Sequence, residues 1–218
     1  MSAPPFADRT DAGRQLGDEV HAHISRRAVT VLGIARGGIP VAAEVARRIA
    51  APLEVLVVRK VGHPLQPELA LGAVTSDGTF SASRAIGLLP DAREVDALTQ
   101  RAVEEARAME TSLRGGIPPR DLTGETCIVV DDGAATGASM CAALRAVSAR
   151  GALAAIAAVP VASSESIAVI GRYASEVMTV LVDDRHASVG AYYRDFSPVS
   201  AHEVNEIMSM WQQELAAR

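Results

Sequence analysis

The chain has 218 residues, 49% hydrophobic, 22% charged and only 3% aromatic, with a formal net charge of −5. That length suits one domain with a sizeable core, and Ala, Val, Leu and Ile must build it. No basic run interrupts the acidic balance, residues 1–15 hold no apolar signal segment, and the longest uncharged stretch, 151–164, is 14 residues broken by Pro160, so nucleic acid, a leader and a membrane span are all disfavoured.

Residues 1–8 contain proline and read as a loose start. Leu16, Val20 and Ile24 at four-residue spacing predict a helix over 8–27. The β-branched run 28–34 predicts a buried strand, and 35–38 a glycine loop. A helix follows over 39–50, with Pro40 tolerated in its first turn, then a strand over 53–58. Gly62, Pro64 and Pro67 predict a loop over 61–68, residues 70–75 a further strand, and 76–79 a turn. The apolar stripe Val95, Leu98, Ala102, Ala106 and Met109 predicts a long helix over 91–114. Residues 115–124 link it to an apolar strand ending at Val130. Beyond lie a helix over 137–150, a strand over 152–161, a helix over 163–173 capped by Ser163 or Ser164, a strand over 177–182, an irregular stretch 183–198 and a terminal helix over 200–217. Strands alternate with helices from 28 to 182. The expected fold class is therefore α/β, a mostly parallel sheet with helices on both faces, and its ligands belong at the carboxyl ends of the strands.

Two cysteines, Cys127 in a predicted strand and Cys141 on the apolar stripe of a predicted helix, make no disulfide framework. A reducing, cytoplasmic setting is the expectation, and Cys141 reads as core rather than nucleophile. His21 and His23 sit two apart on a helix and face different sides, so they form no metal pair.

The most informative segment runs Cys127-Ile128-Val129-Val130-Asp131-Asp132-Gly133-Ala134-Ala135-Thr136-Gly137-Ala138-Ser139. An apolar strand ends in two acids, turns through small residues and opens a helix. Backbone N–H groups of such a loop and first helical turn can converge on one anion, and Thr136 and Ser139 add hydroxyl donors. The two carboxylates can accept from vicinal hydroxyls or hold a divalent cation. A bare strand-to-helix turn with an Asp cap is the plain alternative, but a cap needs neither two acids nor a long loop of small residues.

Over Cys127 to Ser139 the chain resembles the type I phosphoribosyltransferases, whose signature is four apolar residues, two acids and a Gly/Thr-rich loop. The resemblance implies that residues Gly133, Ala134, Ala135, Thr136, Gly137, Ala138 and Ser139 cradle the 5-phosphate of phosphoribosyl pyrophosphate (PRPP), and that Asp131 and Asp132 bind its ribose hydroxyls. Arg36, Gly37 and Gly38 stand where that family has a short pyrophosphate-binding loop, and Arg59 and Lys60, closing a predicted strand, where it tends to place a further cation. A surface arginine in an ordinary turn and a solvated strand end are the plain readings of those two segments. By the same resemblance the core is about 28–182, residues about 61–80 form a flap, and about 183–218 form a hood and terminal helix in a single domain. Asp131, Asp132, Arg36 and Lys60 become the catalytic set, Mg²⁺ the cofactor, PRPP and a small-molecule acceptor the ligands, and a homodimer the assembly.

The hood is less defined. Asp183-Asp184-Arg185-His186 reads equally as part of a base pocket or as a self-paired charge cluster. Tyr192, Tyr193 and Phe196 are half of the six Tyr and Phe residues, and read equally as a stacking surface or a packing cluster; Asp184, Tyr193 and Phe196 are the base-pocket candidates. Ala135 stands where the hypoxanthine–guanine branch carries Asp, so a 6-oxopurine acceptor is disfavoured. The expected reaction is phosphoribosyl transfer from PRPP to a nitrogen acceptor, such as a nucleobase, with release of pyrophosphate. A PRPP-binding regulator without turnover, and a transferase for a non-nucleobase acceptor, are the alternatives.

Overall fold

A computed structural model describes residues 4–24, 28–83, 92–115, 117–185 and 188–216. Its centre is a seven-stranded sheet in the order β4-β3-β2-β1-β5-β6-β7. Strands β1 (Val29–Ala35), β2 (Leu53–His63), β5 (Thr126–Val130), β6 (Ala154–Ala162) and β7 (Glu176–Val182) run parallel. Strands β3 (Gln66–Thr75) and β4 (Phe80–Ala82) add antiparallel at one edge. Among the described residues the helices are α1 (Arg9–His23), α2 (Gly38–Ile49), α3 (Ala92–Arg114), α4 (Ala138–Ala149), α5 (Ser164–Ile170) and α6 (Ala201–Ala216). The α/β class expected from the alternating pattern is the one observed.

The pleat sorts side chains between two apolar layers. Leu32, Ile34, Leu56, Val58, Cys127 and Val129 pack under α4. Val31, Ile128 and Val130 point the other way, against α1 and α2, while Val55 and Val57 meet α3 and α6. Small residues do most of the filling: Ala42, Ala46, Ala142, Ala143, Ala157 and Ala158 are fully buried. This is how a chain so poor in aromatics fills its core.

The stretch expected as a glycine/proline loop is instead a β-ribbon. Strand β2 continues to His63, the chain turns at Pro64 and Leu65, and β3 returns. Val61, Leu71 and Val74 bury against Ala102 and Val103 of α3, and this burial holds the strands together. Register shifts around Gly62 absorb the irregular residues, as bulges do. The turn expected at 76–79 is present, with Asp77 Oδ1 accepting from Thr79 N at 2.8 Å. Strand β4, only three residues long, carries no readable period and was not expected. Helix α5 starts from Ser163, whose side chain accepts from Ser166 N, and stops at Gly171, short of the expected end at 173.

Candidate active site

Strand β1 leads through α2 to β2 on one side, while its neighbour β5 leads through α4 to β6 on the other. The two chains diverge beyond the carboxyl ends of β1 and β5, and a crevice opens at this topological switch point. The loops 35–38 and 131–137 both begin there. The Ala35–Arg36 peptide is cis, and the Arg36 side chain is exposed. A Cβ built on Gly37 would stand 2.2 Å from Asp132 Oδ2, and one on Gly38 would stand 2.7 Å from Val130 O. Only glycine permits this approach, so the two loops that the sequence places 94 positions apart (Gly38 to Asp132) form one surface.

The loop after β5 is braced from three sides. Ala134 N donates to Val161 O at 2.9 Å, Ser166 Oγ of α5 donates to Ala134 O at 2.9 Å, and Val189 closes over Gly133 so tightly that a Cβ there would lie 2.5 Å from it. Gly137 has φ +73, a left-handed conformation natural to glycine, and it turns the chain into α4. The first hydrogen bond of α4 runs from Cys141 N to Gly137 O. The N–H groups of Ala138, Ser139 and Met140 therefore project from the helix start without an intrahelical acceptor, at the positive end of its dipole. Thr136, Ala138 and Ser139 line a cavity of about 660 Å³, and Lys60 lines it too.

The two acids differ in their surroundings. Asp131 Oδ1 accepts from Asp132 N at 2.9 Å. Burial pushes the Asp131 carboxyl well above the usual range, and the charge of Asp132 adds to it. Burial also raises Asp132, but Arg9 opposes the shift: Arg9 Nε donates to Asp132 Oδ2 at 2.9 Å. Arg9 Nη1 donates to Ser197 O at 2.8 Å, and its guanidinium lies 3.8 Å from the centre of the Phe196 ring. Tyr193 OH donates to Asp132 O at 2.6 Å, and its ring sits between Phe6 (5.3 Å) and Phe196 (4.9 Å).

The crevice thus brings together Asp131, Asp132, Gly37, Gly38 and the 133–139 loop, with Lys60 at its flank. Arg59 stands apart from this group. Consecutive strand residues face opposite ways, and Arg59 lies on the α3 side, where it pairs with Glu105 at 2.8 Å. Asp184, a base-pocket candidate, is engaged by α5. It caps α5, accepting from Ser164 N at 2.7 Å and from Ser164 Oγ at 2.8 Å. Asp183 pairs with Arg185, which lowers its carboxyl to about 2, while His186 lies outside the described residues. Tyr193 acts as a strut beneath the loop, and one face of Phe196 is already covered by Arg9. Cys141 is buried in the core, and burial raises its thiol. The residue missed from sequence is Arg9; an arginine next to a helix cap carries no local sign of a partner 123 positions away.

A family profile described as a phosphoribosyl transferase domain matches residues 8–195, and the chain belongs to that family. Two curated Mycobacterium tuberculosis proteins, "Putative phosphoribosyl transferase MT0597" and "Putative phosphoribosyl transferase Rv0571c", are each 42% identical over 201 residues, covering 91% of this chain and 45% of their own length. The chain therefore spans about half the length of the curated relatives it matches. The crystal structure of TT1426 from Thermus thermophilus is 39% identical, with a TM-score of 0.80 over 94% of this chain and 98% of that one. No helix among the described residues is long and apolar enough to cross a membrane. Among them, no group of three or more His, Cys, Asp and Glu could hold a metal ion. The two acids of the crevice nonetheless suit Mg²⁺, which keeps most of its waters and takes one or two carboxylates beside substrate phosphates.

Proposed function

We propose that this protein transfers the 5-phosphoribosyl group of PRPP to a nitrogen nucleophile and releases pyrophosphate. The observation that carries this reading is the contact of the Gly37–Gly38 loop with Asp131 and Asp132. It gathers a glycine turn, two carboxylates and the start of a helix around one crevice, an arrangement that would suit a sugar with phosphates at both ends. The 5-phosphate would meet the N–H groups of Ala138 and Ser139 and the Thr136 and Ser139 hydroxyls. Asp131 and Asp132 would accept from the ribose hydroxyls. Arg36, Gly37, Gly38 and Lys60 would receive the pyrophosphate. Transfer through a cation-like anomeric carbon asks little covalent help of the protein; positioning and neutralisation of the leaving group supply the rate. Mg²⁺, met by Asp131 and Asp132 through water, would share the charge of the departing pyrophosphate.

A nucleobase is the first acceptor class to test, in a cytoplasmic homodimer as the resemblance implies. One observation favours a non-nucleobase acceptor as a second reading: Arg9 already covers the Phe196 face on which a planar base would stack. The test mixes protein, Mg²⁺, PRPP and a panel of bases and amines, and measures pyrophosphate. Release with one acceptor supports the proposal; PRPP binding without release across the panel favours a regulator. Asp132→Asn combined with Thr136→Ala should weaken PRPP binding by at least about tenfold, since two hydrogen-bonding groups are lost. Unchanged affinity, measured by calorimetry, removes both from the site.

A further inference from the structure

Asp132 is gripped by a residue outside the matched signature. Arg9, in the first turn of α1, donates from Nε to Asp132 Oδ2 at 2.9 Å, and both side chains are largely buried, at 11% and 16% exposure. Arg9 is itself fixed by two further contacts: Nη1 donates to Ser197 O, and the guanidinium plane rests on Phe196. Beside this contact the backbone at Gly37 comes so close that a Cβ there would stand 2.2 Å from the same Oδ2. Oδ2 is therefore held by a buried cation, with the glycine turn packed beside it. A planar guanidinium held at three points is a preorganised clamp, in a way that a flexible ammonium cannot reproduce.

We propose that Arg9 is a positioning residue of the sugar site: by holding Oδ2 of Asp132 it presents Oδ1 alone, in a fixed direction, to the ribose hydroxyls, with Ser197 and Phe196 setting the clamp. This rests on the reading of Asp132 as a ribose-binding acid. It gives α1 and the segment around 197 a role at the sugar site without touching the sugar.

The test measures PRPP binding by calorimetry, and pyrophosphate release under steady state, for the wild type, Asp132→Asn, Arg9→Ala and Arg9→Lys. Arg9→Ala should raise the KM for PRPP about tenfold, the scale of one charge-assisted hydrogen bond, with kcat within about twofold. Millimolar guanidinium should restore affinity to Arg9→Ala and leave Asp132→Asn unchanged, a rescue that general loosening of the fold would not give. Arg9→Lys should fall between wild type and Arg9→Ala. Wild-type PRPP affinity in Arg9→Ala overturns the proposal, as does a loss that guanidinium fails to restore. If Arg9→Ala does not fold, Arg9→Lys decides: wild-type affinity overturns the proposal, and weakened affinity that guanidinium does not change, with kcat retained, supports it. A wild-type protein that binds no PRPP overturns the proposed function itself, whereas normal wild-type binding shared by Arg9→Ala overturns this inference alone.

Discussion

Adjacent carboxylates at the end of a buried strand are unfavourable for folding, and Asp131 bears more of that cost than Asp132 because the counter-charge of Arg9 falls on its neighbour. With its carboxyl raised by burial and then by Asp132, the folded protein holds the Asp131 proton more tightly than the unfolded chain does. Ionising it therefore removes stability as pH rises through its folded-state value, and nothing is lost at pH below the unfolded-state value. Asp131→Asn should raise the melting temperature by a few degrees at pH 8, and by less at pH 5, while weakening PRPP binding. Scanning fluorimetry across that range, without added metal, checks the trend; a gain that grows towards acid pH would contradict it. Asp131 and Asp132 were legible in the sequence because their chemistry is local: two acids, small residues and a helix start within 13 positions of 127–139. Arg9 was not, because nothing in the first turn of a helix specifies an acceptor 123 residues downstream.

At the scale of elements, β2 separates the two cations. Its pleat sends Arg59 to Glu105 on α3 and Lys60 to the cavity beside Thr136 and Ser139. Lys60→Ala should raise the KM for PRPP about tenfold, the scale of one charged contact. Arg59→Ala should leave it within about twofold and cost about 0–1 kcal/mol of stability, as an exposed ion pair does. Steady-state kinetics and melting curves of the two variants separate the roles; equal losses of PRPP affinity would put both cations at the leaving group. The sequence showed two consecutive cations but not their split, because Gly62, Pro64 and Pro67 read as the start of a loop. A loop leaves both directions open, whereas the ribbon β2–β3 fixes them. The parallel core was readable for the opposite reason: alternation of apolar runs with helical stripes persists over 28–182, and few topologies satisfy it.

Across the whole molecule, the segment ahead of α1 is laced to residues 192–195 beneath the site. Phe6 N donates to Tyr192 O at 3.1 Å, Arg194 N donates to Phe6 O at 2.9 Å, and Asp195 N donates to Ala7 O at 2.9 Å. Phe6 is 1% exposed, against Tyr193. Residues 1–8 read as a loose start from sequence because proline and small residues dominate them, and the Phe6 ring that anchors the described residues 4–8 finds its partners only after folding. Phe6→Ala should cost about 3 kcal/mol, as other buried Phe truncations do, and should weaken PRPP binding alongside, because Tyr193 supports Asp132 from beneath. Thermal denaturation paired with calorimetry tests this, and a fall in melting temperature with intact PRPP affinity would disconnect the lacing from the site. Phe6 would thus tie recognition of the sugar to the segment just ahead of α1. A cut between Ala7 and Asp8 would then loosen the support beneath Asp132 while the phosphate cradle kept its own braces to Val161 and Ser166.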